Sequence, residues 1–297
     1  MSLLRRLASE PVGLAGLALV GGVVVLALLA PWIAPYDPLA IDLAAKLAPP
    51  SARHWMGTDQ AGRDILSRIL WGARPSLTVG VLAVLIGAAG GVAVGLTAAY
   101  LGGWWEALAM RIVDGLAAIP LLVWAIALVG IVGVGPVAVA GFRFPNESKI
   151  VLLVGILYIP PLARVTYAAA LSQAKLDYVK ARRMQGASAP AIMAGDVLPN
   201  CLSPVIVQGT LLIAVGIVVE ASLSFVGLGV EPPAPSWGSM LADARNSVFS
   251  GEWWSPVFPG LAISLSVIGF NLLGDAMRDG LDPRLTRGGT ALAGPAG

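Results

Sequence analysis

Two places in this chain combine side-chain types and spacing that point to chemistry. One is a lone carboxylate, Glu220, set inside a long apolar run. The other is a polar island between two such runs, Q-A-K-L-D-Y-V-K-A-R-R-M-Q-G-A-S-A-P-A-I-M-A-G-D-V-L-P-N at 173–200. An ionisable group within a membrane span costs about 2.5–3.5 kcal/mol on insertion scales, and such groups usually face a cavity or a partner. Glu220 therefore reads as a pore-lining group or a contact for a substrate amine, or else as a structural hydrogen bond to a neighbouring helix. The island reads as helix, glycine turn, helix and proline stop. Gly186 can supply the φ > 0 turn, Ser188 can cap a second short helix with Pro190 in its first turn, and Leu198-Pro199 closes the element. Leu176, Val179 and Met184 can rest on a membrane bundle while Lys180, Arg182 and Arg183 present charge outward. A folded basic element of this kind suits docking of a soluble partner that drives the bundle. A solvated loop that merely obeys the positive-inside rule fits the same residues.

Enzymatic chemistry finds little support. His54 is the only histidine and Cys201 the only cysteine, so neither an intramolecular disulfide nor a thiolate metal cluster can form. Cys201 reads as a small apolar residue at a helix start. No H-E-x-x-H or G-x-S-x-G occurs, and no lysine falls within an expected span. No G-x-x-x-x-G-K-[ST] is present and no lysine follows a glycine, so the chain lacks a phosphate cradle and any ATP and magnesium must sit on another chain. No cofactor or metal is expected here. An intramembrane enzyme and an ion-coupled secondary transporter are the rival classes. The latter tends to show internal repeats and midplane carboxylates, of which only Glu220 is a candidate.

The elements that hold these residues are membrane helices. The chain is 57% hydrophobic and 12% charged, with a mean hydropathy of +0.82, against about a quarter charged residues in a soluble domain. Six segments are long and apolar enough to span a bilayer, at 12–34, 76–101, 106–134, 150–171, 201–227 and 256–277. Arg5 and Arg6 precede the first, whose apolar run is too long for a cleaved signal, so it reads as a signal anchor. With both termini cytoplasmic, the inner segments hold eleven lysines and arginines against eight outside. Net charge is +2, and no nucleic-acid partner is expected. Gly87, Gly91 and Gly95 line one face of the second span, for packing inside the bundle or against a partner membrane subunit. Pro120 and Pro160-Pro161 should kink the third and fourth spans. Arg111 and Asp114 are spaced to pair, Arg164 can snorkel, and Asp275, Arg278, Asp279 and Asp282 read as a solvated tail or a brace for the island. Asp59, Arg63, Asp64, Arg68 and Arg74 suggest a short amphipathic surface helix with an Asp64–Arg68 pair.

Y-V-K-A-R-R-M-Q-G-A-S followed by L-P-N resembles the EAA loop of binding-protein-dependent ABC importer permeases, with Gly186 at its glycine. The segments at 37–77 (D-P-L-A-I-D-L onward), 220–241 (E-A-S-L-S-F-V-G-L-G-V onward) and 271–285 (N-L-L-G-D-A-M-R-D-G-L-D-P-R-L) resemble the second, shorter permease type of the dipeptide/oligopeptide subfamily. The resemblance implies an all-α integral membrane protein of six spans with a MetI-like type I importer domain. It divides the chain into a membrane anchor with an outer amphipathic segment at 1–75, a permease core at 76–280 and a cytoplasmic tail at 281–297. It implies a second homologous permease subunit, two ABC ATPase subunits, an extracytoplasmic substrate-binding protein and a place in a bacterial inner membrane. Tyr178, Val179, Lys180, Ala181, Arg182, Gly186 and Ala187 would make or shape the ATPase contact. The loop departs from its pattern at Lys180, Arg182 and Gln185, where a glutamate, an alanine and a leucine are usual, so a polar groove on the partner is expected to compensate.

Overall fold

The computed structural model describes residues 7–281 apart from 134, 136, 140, 141 and 246. Arg5, Arg6, Asp282, Arg284, Arg287 and the expected tail beyond Leu281 lie outside the described residues. Among the described residues five helices are long and apolar enough to cross a membrane, and a bent pair brings the number to six if it counts as one span. The chain runs through α1 (Pro11–Ile33), α2 (Ile65–Leu101), α3 (Gly103–Ala117) and α4 (Leu121–Val132). A two-stranded antiparallel hairpin, Val137–Val139 with Phe142–Phe144, precedes α5 (Asn146–Ala174). Then come α6 (Asp177–Met184), α7 (Ala189–Ile192), α8 (Leu198–Phe225), α9 (Trp237–Ala244) and α10 (Trp254–Leu281). Apart from that hairpin the described fold is helical.

The third span is two helices rather than one. Pro120 forces extended backbone ahead of α4, and α3 and α4 meet at 88°. Pro160-Pro161, by contrast, lie within an unbroken α5.

α2 and α5 form the central seam. A Cβ at Gly87 would stand 2.5 Å from Tyr158 Cβ, and one at Gly91 would stand 2.7 Å from Leu162 Cβ. Gly95 meets Ala163 and Thr166 in the same way. The three glycines thus face a helix of their own chain, and their missing side chains let the backbones close without help from a hydrophobic push. Val79 and Val84 of α2, Val129 of α4, Val154 and Leu162 of α5 and Leu212 of α8 fill the surrounding core. Tyr158 secures a third helix by donating its hydroxyl to Leu212 O at 3.0 Å.

α1 clamps onto α10 from outside, with Gly16 against Leu273 and Gly269 against Leu19. Those contacts make the pair antiparallel. Since Arg74 near the start of α2 donates to Ala27 O at 2.8 Å, the start of α1 and the end of α10 share the bundle end that the island occupies. Residues 36–64 and α9 cover the opposite end.

At that opposite end the expected surface helix is absent. Asp59 and Arg63 sit in a turn, and α2 begins at Ile65 and runs through residue 75 without a break. Asp64 caps this helix, accepting from Ser67 N at 2.8 Å and from His54 Nδ1 at 3.0 Å, so it does not pair with Arg68. Arg68 is buried instead, 3.5 Å from both Asp59 and Asp243, while Arg63 reaches the same two carboxylates at 2.7 and 2.9 Å. The charges form one network joining the outer segment to α9.

Candidate functional site

The island is a closed, braced lever. In α6, Asp177 opens the first turn and Arg182 and Arg183 close the last, an order that favours the helix dipole at both ends. The helix stops in a Schellman arrangement: Gly186 N–H donates to Arg183 O at 3.0 Å and Ala187 N–H to Arg182 O at 3.2 Å. Gly186 holds φ +80°, and a Cβ there would meet open space. Backbone conformation, and not crowding, is what demands glycine.

The second limb differs from expectation. Ser188 stands at the N-cap of α7 but its side chain makes no cap bond, although Pro190 does occupy the first turn. Leu198-Pro199 does not stop the chain. A π turn at Met193–Val197 carries it straight into α8, with Pro199 in the first turn. Proline has no N–H to give the preceding turn and its ring crowds a regular one, and the wider π turn relieves both problems.

Val179 is fully buried among Leu96, Ala99, Ala170, Ile192, Val197 and Cys201, the one buried side chain by which α6 is rooted in the bundle. Leu176 and Met184, expected beside it, point outward, and Met184 is 84% exposed. Ala181 and Ala187 are half-buried; Tyr178, Lys180, Arg182 and Gly186 are exposed. Tyr178 hydroxyl donates to Gln173 Oε1 at 3.0 Å, and burial of that ring edge pushes the phenol above its ordinary value.

The basic residues are largely engaged within the chain. Lys180 donates to Asp177 Oδ1 at 2.8 Å and holds that carboxyl below its usual range. Arg182 donates to Asp196 at 3.1 Å, and Arg183 lies over the Tyr100 ring at 4.6 Å. Lys180 and Arg182 thus each have a carboxylate partner within the chain. Asp196 and Tyr100 were not foreseen as partners, though a single acid across the glycine turn from three cations was a visible signal.

Glu220 is enclosed. Ser76 and Ser224 each donate a hydroxyl to its carboxylate at 2.6 Å, and Ser224 Oγ also accepts from Val230 N at 3.2 Å. The carboxylate thus ties α2, α8 and the loop after α8 together, and no part of it reaches the surface. Asp114 does not pair with Arg111. Arg164 crosses from α5 to take Asp114 Oδ1 at 2.7 Å. Asp275, Arg278 and Asp279 stay on the last turns of α10 and are exposed.

Residues 91–287 match the family described as binding-protein-dependent transport system inner membrane component, and residues 2–50 match the N-terminal transmembrane domain of oligopeptide transport permease C. The chain is 42% identical over 278 residues to the di/tripeptide transport system permease protein DppC of Pseudomonas aeruginosa, covering 92% of this chain and 88% of the relative. It is 41% identical over 254 residues to the probable D,D-dipeptide transport system permease protein DdpC of Escherichia coli K12, with 86% and 81% covered. A glutathione transport system permease protein, GsiD, of Escherichia coli is 41% identical over 263 residues, with 88% and 83% covered. This chain belongs to the family of binding-protein-dependent transport system inner membrane components. It is a multi-pass membrane permease with a MetI-like helical bundle.

Proposed function

We propose that this chain is one of two homologous membrane subunits of an ATP-driven importer for peptides or peptide-like solutes. Two ABC ATPase subunits carry ATP and magnesium, and an extracytoplasmic binding protein delivers the solute. The transport systems named for the relatives, di/tripeptide, D,D-dipeptide and glutathione, support the substrate class. The observation that carries the coupling role is the lever itself. α6 is rooted through one buried valine, locked by a glycine-dependent turn, and exposes Met184 and Tyr178 beyond the bundle. A rigid body of this shape passes a push from a docked ATPase to α2, α5 and α8, which surround Val179.

The island end, with the start of α1 and the end of α10, faces the cytoplasm of a bacterial inner membrane in this reading, in line with its lysines and arginines. Residues 36–64 and α9 face the binding protein.

The test is reconstitution with the ATPases and the binding protein. Gly186→Val strains the φ +80° position. It should leave insertion intact while separating ATP hydrolysis from uptake; normal uptake by that variant would remove the coupling role. Uptake by this chain alone in liposomes would instead make it an ion-coupled transporter.

A further inference from the structure

α3 runs across the bundle, not along it. Its first turns lie on the end of α2, where Trp105 Nε1 donates to Thr97 Oγ1 at 3.2 Å. Farther along it meets α5 twice: Tyr167 donates its hydroxyl to Glu106, and Arg164 donates to Asp114 Oδ1 at 2.7 Å. From Glu106 to Asp114 α3 advances about 12 Å, while the partners on α5 shift by only three residues, about 4.5 Å. α4 gives the same answer. Asp114, four residues before Ala118, puts the start of α4 near Arg164, and Gly133 at its end accepts from Lys149 Nζ at 2.7 Å, so α4 runs antiparallel to α5. α3 meets α4 at 88° and is therefore steeply inclined to both.

The lever fixes the level of this crossing. Ala170 of α5 already belongs to the cluster around Val179, at the root of the polar island. Tyr167 and Arg164 stand three and six residues before it, about 4.5–9 Å deeper along α5. That is the boundary of headgroups and acyl chains, about 5–10 Å in, where amphipathic helices lie flat.

The surface of α3 is divided to suit such a place. Ala109 and Val113 are buried against the bundle. Trp104, Leu108 and Ile112 form an exposed apolar stripe, and Trp104 is 76% exposed. Ala107, Arg111, Asp114 and Ala118, at i, i+4, i+7 and i+11, form a second exposed stripe that carries the charge. On it the Arg164–Asp114 pair is neutral, and Arg111 has no hydrogen bond or ion pair among the described residues, which leaves one cation unmatched. An apolar stripe beside a lone guanidinium complements a phospholipid, whose acyl chains adjoin a phosphate. Tryptophan is a favoured anchor at that boundary.

We infer that α3 is an in-plane interfacial helix seated in the leaflet on the island side, with Trp104, Leu108 and Ile112 among acyl chains and Arg111 on a lipid phosphate. The passage towards the far side then falls to α4, whose 12 residues rise about 18 Å. Trp105 and Glu106 tie the same helix to α2 and α5, so the lipid surface sets the depth of two helices that surround the lever root.

Depth measurement tests the placement. The assembled transporter is held in nanodiscs of phosphatidylcholine and phosphatidylglycerol, with cysteine-free partner subunits. Cys201→Ser removes the native thiol of this chain, which is buried. Nitroxides are attached singly at Ala107→Cys, Ala118→Cys and Leu108→Cys, and collision with oxygen and with a neutral nickel chelate gives the depth of each. Ala107 and Ala118 share a stripe eleven residues apart. A helix along the membrane normal would separate them by about 16 Å, and one inclined as the α5 contacts require by about 6 Å. Leu108 should lie deeper than Ala107. Leu152→Cys and Ile156→Cys, at exposed positions of α5, calibrate the scale with about 6 Å between them. A separation near 16 Å, a Leu108 label shallower than that at Ala107, or labels shielded from both reagents by the second subunit would each overturn the interfacial placement. For the phosphate, this chain alone carries carbon-13 at arginine Cζ, recoupled to phosphorus-31 in phosphate-free buffer, so that lipid is the only phosphorus present. Arg111→Gln should remove one arginine's share of the dephased signal, and an unchanged signal would overturn the lipid contact. None of these readings involves uptake or hydrolysis, so the coupling role stands or falls separately.

Discussion

Arg182 Nε stands 3.1 Å from Asp196 Oδ2, joining the helix before the glycine turn to the π turn after it. The two limbs of the lever are thus held by an internal ion pair as well as by the Schellman closure. The pair is partly exposed, so it is worth only about 0.2–1 kcal/mol. Arg182→Ala should therefore lower uptake by no more than about fivefold, which is the upper end of that range. Val179→Asp places a charge in the fully buried root and should disperse the complex. Solute moved per ATP hydrolysed distinguishes the two. If Arg182→Ala prevented ATPase association outright, the arginine would be a partner contact after all.

Lever charge and lever surface make different contributions to docking. Lys180 is matched by Asp177, but Met184 extends an uncovered apolar side chain at 84% exposure. An apolar side chain held out by a rigid turn is a natural anchor for a partner pocket. Met184→Asp should weaken co-purification of the ATPases by more than tenfold, and Met184→Leu should preserve it. Lys180→Gln should change it by less than about threefold, as expected of an exposed charge with a local partner. The reverse ranking would point to an electrostatic dock.

The α2–α5 seam makes a sharper prediction, because neighbouring glycines meet different obstacles. A Cβ at Gly91 would lie 2.9 Å from Ala163 N, a backbone atom, as well as 2.7 Å from Leu162 Cβ. One at Gly90 would meet only the side chain of Ile159, starting with its Cδ1 at 2.7 Å. The isoleucine tip can rotate away and the backbone cannot. Gly91→Ala should destabilise by about 1–3 kcal/mol, and Gly90→Ala by less. Thermal midpoints of the detergent-solubilised complex compare them directly. Equal losses would show that the seam yields as a whole.

Long apolar runs made the number of spans legible, since a bilayer demands about 20 apolar residues whatever the tertiary context. Gly186 was legible because a left-handed turn has few other solutions. What escaped was the choice of charge partners. Asp114 has Arg111 three residues away and still binds Arg164 fifty residues on, because α5 passes alongside α3. Asp64 could not serve Arg68 because it was needed as an N-cap. Local spacing gives the set of possible pairs, and helix packing selects among them. The broken third span was half-visible: Pro120 marks the place, but an 88° bend rather than a kink follows from α3 wrapping across α5.

Glu220 separates a structural role from a transport role most directly. Two serine hydroxyls point at its oxygens from α2 and from its own helix, at 2.6 Å each. Glu220→Leu removes the acceptors and strands both hydroxyls inside the bundle, at about 1–3 kcal/mol for each buried group left without a partner. That variant should fail to assemble. Glu220→Gln keeps an acceptor oxygen, and a serine hydroxyl can turn to accept from the new amide, so it should fold with a modest loss of thermal stability. Because the carboxylate is sealed away, the glutamine variant should also keep the solute concentration for half-maximal uptake. A strong rise in that concentration with stability intact would show that Glu220 becomes exposed to solute during the cycle. A pure packing role predicts the opposite order: lost assembly in the leucine variant and unaltered solute handling in the glutamine one.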